Sequence, residues 1–140
     1  LLDRTHRRRQ PDALRRLLEQ RVEALERDRE VRAALRAGER FLTRIFTPSE
    51  KKYCFGKASP WNSLAARFAA KEAAFKALGK GWPDCGGFLS VEVRVGEHGR
   101  PGLLFHGNAG RMAEELGVVS VHVSLTHDGG YAAAVVVLEG

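Results

Sequence analysis

Four charges in one alanine-rich stretch are the residues of this chain best placed to do chemistry: Arg67, Lys71, Glu72 and Lys76 within Ser63-Leu-Ala-Ala-Arg-Phe-Ala-Ala-Lys-Glu-Ala-Ala-Phe-Lys-Ala-Leu-Gly79. The high alanine content predicts a helix, capped by Asn62 or Ser63, running to about Leu78 and stopping at Gly79, with Leu64, Phe68 and Phe75 on one face. At about 100° per residue, Arg67 and Lys71 lie on one flank of the Phe68/Phe75 stripe, and Glu72 and Lys76 lie on the other. Glu four residues before Lys is the favourable order for a helix ion pair, which stabilises by only roughly 0.3 kcal/mol. The same two groups suit a second chemistry. A carboxylate is a hard ligand for Mg²⁺, which takes one or two protein carboxylates and fills the rest of its shell with phosphate oxygens and water. An ammonium beside it faces a phosphate, and the two together fit attack at a pyrophosphate, where developing negative charge must be stabilised.

Other constellations are weaker. His122, Ser124 and Asp128 are near in sequence, but Ser124 is expected mid-strand and lacks the strained turn that exposes a hydrolase nucleophile. His122 and His127, five residues apart along a strand, fall on opposite faces, which argues against a shared zinc ion. Cys54 and Cys85 have no CxxC spacing and are expected as free thiols of a cytosolic protein.

The elements that must position Glu72 and Lys76 follow from periodicity. Leu1 to Gln10 reads as a frayed, basic N-terminus, with a single domain over 11–140. Pro11 to about Ala37 has helical spacing, with Gly38 as its stop. Phe41 to Phe46 is a short amphipathic segment. Thr47-Pro48-Ser49-Glu50 reads as a helix start, with Thr47 as N-cap, Pro48 at the first position and Glu50 closing a capping box. Gly56 to Pro60 and Gly79 to Gly87 are expected loops. The period then changes to two: Phe88 to Val95 as a strand, a turn at Gly96 to Gly99, and Gly102 to Phe105 returning. Asn108 to Leu116 is a short helix ending at Gly117. Val118 to Thr126 alternates, with Val119, Val121, Val123 and Leu125 on one face and Ser120, His122, Ser124 and Thr126 on the other. Asp128-Gly129-Gly130 connects it tightly to a largely apolar strand, Tyr131 to Leu138. Helices first and hairpins later give an α+β fold with an antiparallel sheet.

Charge and length narrow the function. The chain of 140 residues carries a net charge of +6. Residues 1–40 hold twelve Arg and eight acids, so most of that excess is N-terminal. Such a helix attracts an acidic protein, nucleic acid or anionic lipid, or is a solvated face laced with ion pairs. A nucleic-acid domain would need a recognition motif or interleaved aromatics, which are missing. No apolar run approaches a membrane span, and the N-terminus does not resemble a secretory signal, so a cytoplasmic setting is expected.

The alanine-rich stretch resembles the signature helix of the holo-acyl-carrier-protein synthases, R-[FW]-[AV]-x-K-E-A-x-x-K-A-x-G. Three more segments agree in order. Arg40-Phe-Leu-Thr-Arg-Ile-Phe-Thr-Pro-Ser-Glu50 is similar to R-F-L-x-R-[IV]-F-T-x-x-E, Gly99-Arg-Pro-Gly-Leu103 to a G-[KR]-P turn, and Val121-His-Val-Ser-Leu-Thr-His127 to H-V-S-[LI]-[ST]-H. The resemblance covers about residues 38–139. It implies a 4′-phosphopantetheinyl transferase-like fold with a long signature helix, and transfer of 4′-phosphopantetheine from coenzyme A to a serine of an apo acyl carrier protein. It further implies that Glu72 is a Mg²⁺ ligand and that Lys76 lies beside the pyrophosphate and takes part in proton transfer. Arg67 and His127 match positions that contact coenzyme A phosphates, Gly79 a close approach to the nucleotide, and Pro101 the nucleotide pocket or simply a rigid turn. The acidic carrier protein is expected on Arg29, Arg32 and Arg36 of the basic helix, and the assembly is expected to be a homotrimer with active sites between protomers.

One part of the family pattern is missing. Family members begin with a strand of the form G-[IVL]-x-D-[ILV]-V-E, whose Asp is the second Mg²⁺ ligand. The nearest match is Val22-Glu23-Ala24-Leu25-Glu26, which reads as helix. Either Glu23 substitutes, the strand lies elsewhere, or the metal site is degraded. The last case describes a relative that binds coenzyme A or serves a structural role without transferring anything.

Overall fold

A computed structural model describes residues 3–9, 38–58, 60–128 and 131–140. Its elements in chain order are β1 (Asp3–Arg9), α1 (38–45), α2 (Pro48–Phe55), α3 (Pro60–Leu78), β2 (Val91–Val95), β3 (Pro101–Phe105), α4 (Gly107–Glu115), β4 (Ser120–Asp128) and β5 (Tyr131–Glu139). An antiparallel sheet of order β1-β5-β4 and a separate β2-β3 hairpin account for the described strands. The α+β expectation therefore holds.

Helix α3 lies across β5 and packs through its alanines. Ala69, Ala70, Ala73 and Ala74 are fully buried, in one cluster with Ala134, Val136 and Leu138 of β5 and Val91 and Val93 of β2. Alanine is both the best helix former and the smallest side chain after glycine, so it allows the helix and strand backbones to approach closely. A second cluster joins Leu42 and Ile45 of α1 and Phe46, just after it, to Cys54 of α2 and Leu64 of α3. Phe46 is 2% exposed, and truncating it to Ala would cost about 3–5 kcal/mol.

Local chemistry sets the ends of the helices. Thr47 caps α2: its side chain accepts from Glu50 N, and the Glu50 carboxylate accepts from Thr47 N at 2.8 Å, with Pro48 in the first turn. Gly79 ends α3 with φ of +82°, where L side chains are strained; Gly79 N donates to Lys76 O and Lys80 N to Phe75 O. That is the Schellman pattern.

Four expectations need correction. Residues 3–9 are not frayed: they form β1, opposite Tyr131 to Val137 of β5, because a ladder partner outweighs a polar composition. Residue 38 does not stop a helix but lies within α1. Helix α3 begins at Pro60, so Asn62 and Ser63 sit in its first turn rather than at the cap. Phe88–Ser90 is a 3₁₀ turn, not strand: Ser90 N and Oγ both donate to Gly87 O, and the strand starts at Val91. Residues 11–37, with Glu23, Arg29, Arg32 and Arg36, lie outside the described residues.

Candidate active site

The charges of α3 separate into three environments. Glu72 and Lys76 line a cavity of about 760 Å³ with Gly79, Lys80, Gly81, Trp82 and the rings of Phe68, Phe75 and Phe88. Phe88 is the hub of the aromatic wall: Phe68 and Trp82 stack on it, each at 5.4 Å between centroids, and Phe75 meets it edge-on at 5.5 Å. Trp82 is half-exposed at the rim. Among the described residues, Glu72 is the one carboxylate lining this cavity, with two lysines beside it.

Arg67 lines a different cleft of about 420 Å³, with Tyr53, Lys57, Ser63, Pro101 and His127. No carboxylate lines it among the described residues, so three basic side chains face an anion's worth of space. Arg67 is 5% exposed, its guanidinium lies 4.5 Å above the Tyr53 ring, and one terminal nitrogen donates to Ser63 O at 3.3 Å. Its Nε is buried with no hydrogen-bond partner among the described residues, which is costly unless a ligand or water accepts from it. Pro101 opens β3 opposite Val95, and His127 sits near the end of β4 opposite Ala132. His122 falls opposite Val137, on the other face, where its Nε2 is 2.9 Å from a Glu139 carboxylate oxygen. The two histidines do not converge, and no three His, Cys, Asp or Glu side chains cluster among the described residues.

Lys71 is fully buried. Its ammonium is 2.9 Å from Glu50 Oε1 and donates to the carbonyls of Phe88 and Val91. Burial pushes its pKa below the usual lysine value, against the pull of Glu50. Glu50 Oε2 also accepts from Val93 N at 2.8 Å, so one carboxylate joins α2, α3 and β2. A second buried carboxylate, Glu92, accepts from the hydroxyls of Thr47 and Ser49, both at 2.7 Å, and lies 3.0 Å from His106 Nε2. Burial alone would raise its pKa, but those partners together with Arg94 hold it down at about 2. Cys54 and Cys85 are free and buried, and burial pushes Cys54 up to about 11.

The helical periodicity thus kept Glu72 with Lys76 but wrongly grouped Arg67 with Lys71, which turns into the core toward Glu50, and it missed the residues that complete each surface. Trp82, Lys80 and Phe88 come from the loop and turn after α3, and Tyr53 and Lys57 from α2 and the segment after it. The Gly-Lys-Gly-Trp run at residues 79–82 was the available signal: glycines that free the backbone, followed by a basic and an aromatic side chain.

A helix carrying Glu72 and Lys76 thus lies across an antiparallel sheet, beside a cleft lined by three basic side chains. Residues 22–136 match the model of the 4′-phosphopantetheinyl transferase superfamily, and the chain belongs to it. More narrowly, it is 44% identical over 120 residues to the holo-[acyl-carrier-protein] synthase of Koribacter versatilis, covering 84% of this chain and 94% of that protein. It is 50% identical over 102 residues to the synthase of Anaeromyxobacter dehalogenans, covering 73% and 77%. Among solved structures, the Helicobacter pylori synthase in complex with coenzyme A superposes with a TM-score of 0.71 at 25% identity, over 99% of this chain and 100% of that one. The Bacillus anthracis synthase in complex with CoA (3′,5′-ADP) gives 0.64 at 28% identity, over 97% and 93%.

Proposed function

We propose that this chain is a holo-[acyl-carrier-protein] synthase whose active site is assembled from both clefts, one from each of two neighbouring subunits. The observation that carries this reading is the split of the expected residues around α3. Glu72, Lys76 and Gly79 line the aromatic-walled cavity, while Arg67, Pro101 and His127 line the cationic cleft. A ligand that carries a 3′-phosphate on its nucleotide and a pyrophosphate further along, such as coenzyme A, reaches both sets most simply when a neighbour's cationic cleft faces this cavity. A homotrimer with sites between protomers meets that requirement. The outer face of β5, where Ala133, Val135 and Val137 are only half-buried, is the surface that such an assembly would cover.

The reaction moves 4′-phosphopantetheine to a serine hydroxyl of the apo carrier protein. The serine oxygen attacks the pantetheine-side phosphorus, the bond to the bridging pyrophosphate oxygen breaks, and 3′,5′-ADP leaves as the serine proton is lost. Lys76 and Lys80 face the charge that develops on the leaving group, and Lys76 is the group we assign to proton transfer. Arg67 and His127 hold a phosphate at the nucleotide end, with Arg67 Nε as a donor unmatched among the described residues. The one carboxylate that lines the cavity among the described residues fits a hard cation held mostly by substrate oxygens and water: Glu72 would hold Mg²⁺, with Glu23 as the expected second carboxylate. When bound, the ion neutralises charge on the pyrophosphate.

The carrier protein docks on the basic helix through Arg29, Arg32 and Arg36. Arg40 and Arg44, exposed four residues apart on α1, are further basic groups available to it. No helix among the described residues is long and apolar enough to cross a membrane, and free thiols suit a reducing cytoplasmic setting. The test is mass spectrometry of an apo carrier protein incubated with this protein, coenzyme A and Mg²⁺. A mass gain of one phosphopantetheine supports the enzyme. No gain on any carrier protein, with coenzyme A still bound, supports the degraded relative instead.

A further inference from the structure

We infer that Lys71 is a positioning residue for this reaction, clamping the aromatic wall of the cavity to the helix that carries Glu72 and Lys76. The inference rests on the proposed transferase reading of that cavity. An ammonium has three N–H donors and no acceptor. Those of Lys71 are matched by Glu50 Oε1 at 2.9 Å, Phe88 O at 3.1 Å and Val91 O. Its side chain is fully buried, so it acts through what it holds rather than by touching a ligand.

What it holds decides the width of the site. The loop over residues 79–87 leaves α3 at Gly79, touches the core at buried Cys85 and ends at Phe88, which packs against it. One end is fixed by the Schellman bonds to Phe75 and Lys76. The other is fixed where Lys71 grips the Phe88 carbonyl, while the Phe88 ring carries Trp82 and Phe68. Lys71 is the residue before Glu72, so the helix that bears the carboxylate and the wall that faces it are joined through one nitrogen. Glu50 anchors that nitrogen to the start of α2 and to Val93 of β2. Loss of the clamp would let the wall drift from Glu72, and a misplacement of about 1 Å at a reacting centre costs about a hundredfold in rate.

Removing Lys71 alone would strand the Glu50 charge and unfold the chain without testing position. The informative variant is Lys71→Met with Glu50→Gln, which removes both charges at similar volume. A second variant, Lys71→Arg, keeps a cation opposite Glu50, but its planar fork cannot aim three donors from one nitrogen. Both are made in a Trp61→Phe background, where Trp82 is the remaining tryptophan of the two in the chain. Circular dichroism selects the variants that fold. The expected result is a shifted Trp82 emission together with at least a tenfold fall in kcat/KM for coenzyme A, at an unchanged KM for the carrier protein. Parental emission and parental kcat/KM in a folded variant would overturn the inference. If the parent protein itself transfers nothing, the transferase reading fails separately. Trp82 emission then decides alone whether Lys71 sets the wall: a shift supports the clamp, and no shift sinks it.

Discussion

Arg67 and Lys76 share one helix yet face opposite ways: nine residues at about 100° each set them about 180° apart. Arg67 looks into the cationic cleft and Lys76 into the aromatic cavity. If one ligand uses both, it bridges two subunits. Glu72→Gln and Arg67→Gln proteins should then each be nearly inactive alone but complement when subunits are mixed. Random mixing in a cyclic trimer leaves about a quarter of the sites with both halves intact. A mixture no more active than its separate components rules out the shared site.

Glu72→Gln itself removes a charge with little change of volume at a cavity-lining position. Transfer should fall by at least about a hundredfold, while the melting temperature stays within a few degrees, because the position is not in the core. Near-normal turnover at saturating Mg²⁺ would defeat the ligand assignment.

Glu92 predicts an acid-dependent stability. Its folded pKa of about 2 is below the ordinary 4.5, so the carboxylate favours the folded state. That contribution is fully present above the unfolded value and is lost as pH falls through about 2. Glu92→Gln should destabilise the protein by about 2 kcal/mol at neutral pH. It should also flatten the decline of melting temperature below about pH 5. A variant with the parent's acid profile would show that its hydroxyl partners contribute nothing.

Charge reversal at Arg29 and Arg36 tests docking. The carrier-protein KM should rise, more at low salt than at high salt, with the coenzyme A KM unchanged. An unaffected KM makes the basic helix a solvated face. Tight, steeply salt-dependent binding to DNA or RNA would point to a nucleic-acid role for it.

The second carboxylate is tested at Glu23. If Glu23 completes the metal site, Glu23→Ala should lower the rate and weaken its dependence on Mg²⁺ concentration together. If the substitution is silent, the chain either works with Glu72 alone or does not transfer at all. Strand β1 reads Asp-Arg-Thr-His-Arg-Arg-Arg, and its one carboxylate residue, Asp3, is in register with Val137 of β5.

What could be read from the sequence was mostly local. The Thr47/Glu50 capping box spans three residues, and both of its bonds form as the spacing requires. The shared flank of Glu72 and Lys76 on α3 follows from helix geometry alone. The Lys71–Glu50 pair spans 21 residues and depends on where α2 meets β2, which no local pattern encodes. Strand β1 was illegible for a related reason: an Arg-rich heptad looks like a solvated end until β5 supplies its ladder. Val119, grouped by alternation with the core-facing residues of β4, precedes the strand and is 85% exposed.

The alanine seam between α3 and β5 also constrains how this protein can change over time. On the helix side, and at Ala134 of the strand, its side chains are already near the smallest available, so drift has little volume to exchange there. A larger residue at Ala70 or Ala134 would lever the helix off the sheet and carry Glu72 and Lys76 with it. Compensating by a smaller partner is barely possible, because only glycine is smaller, and glycine weakens both helix and strand. The seam therefore acts as a ratchet on substitution: the loops are freer to change than the alanines that hold Glu72 and Lys76 in place.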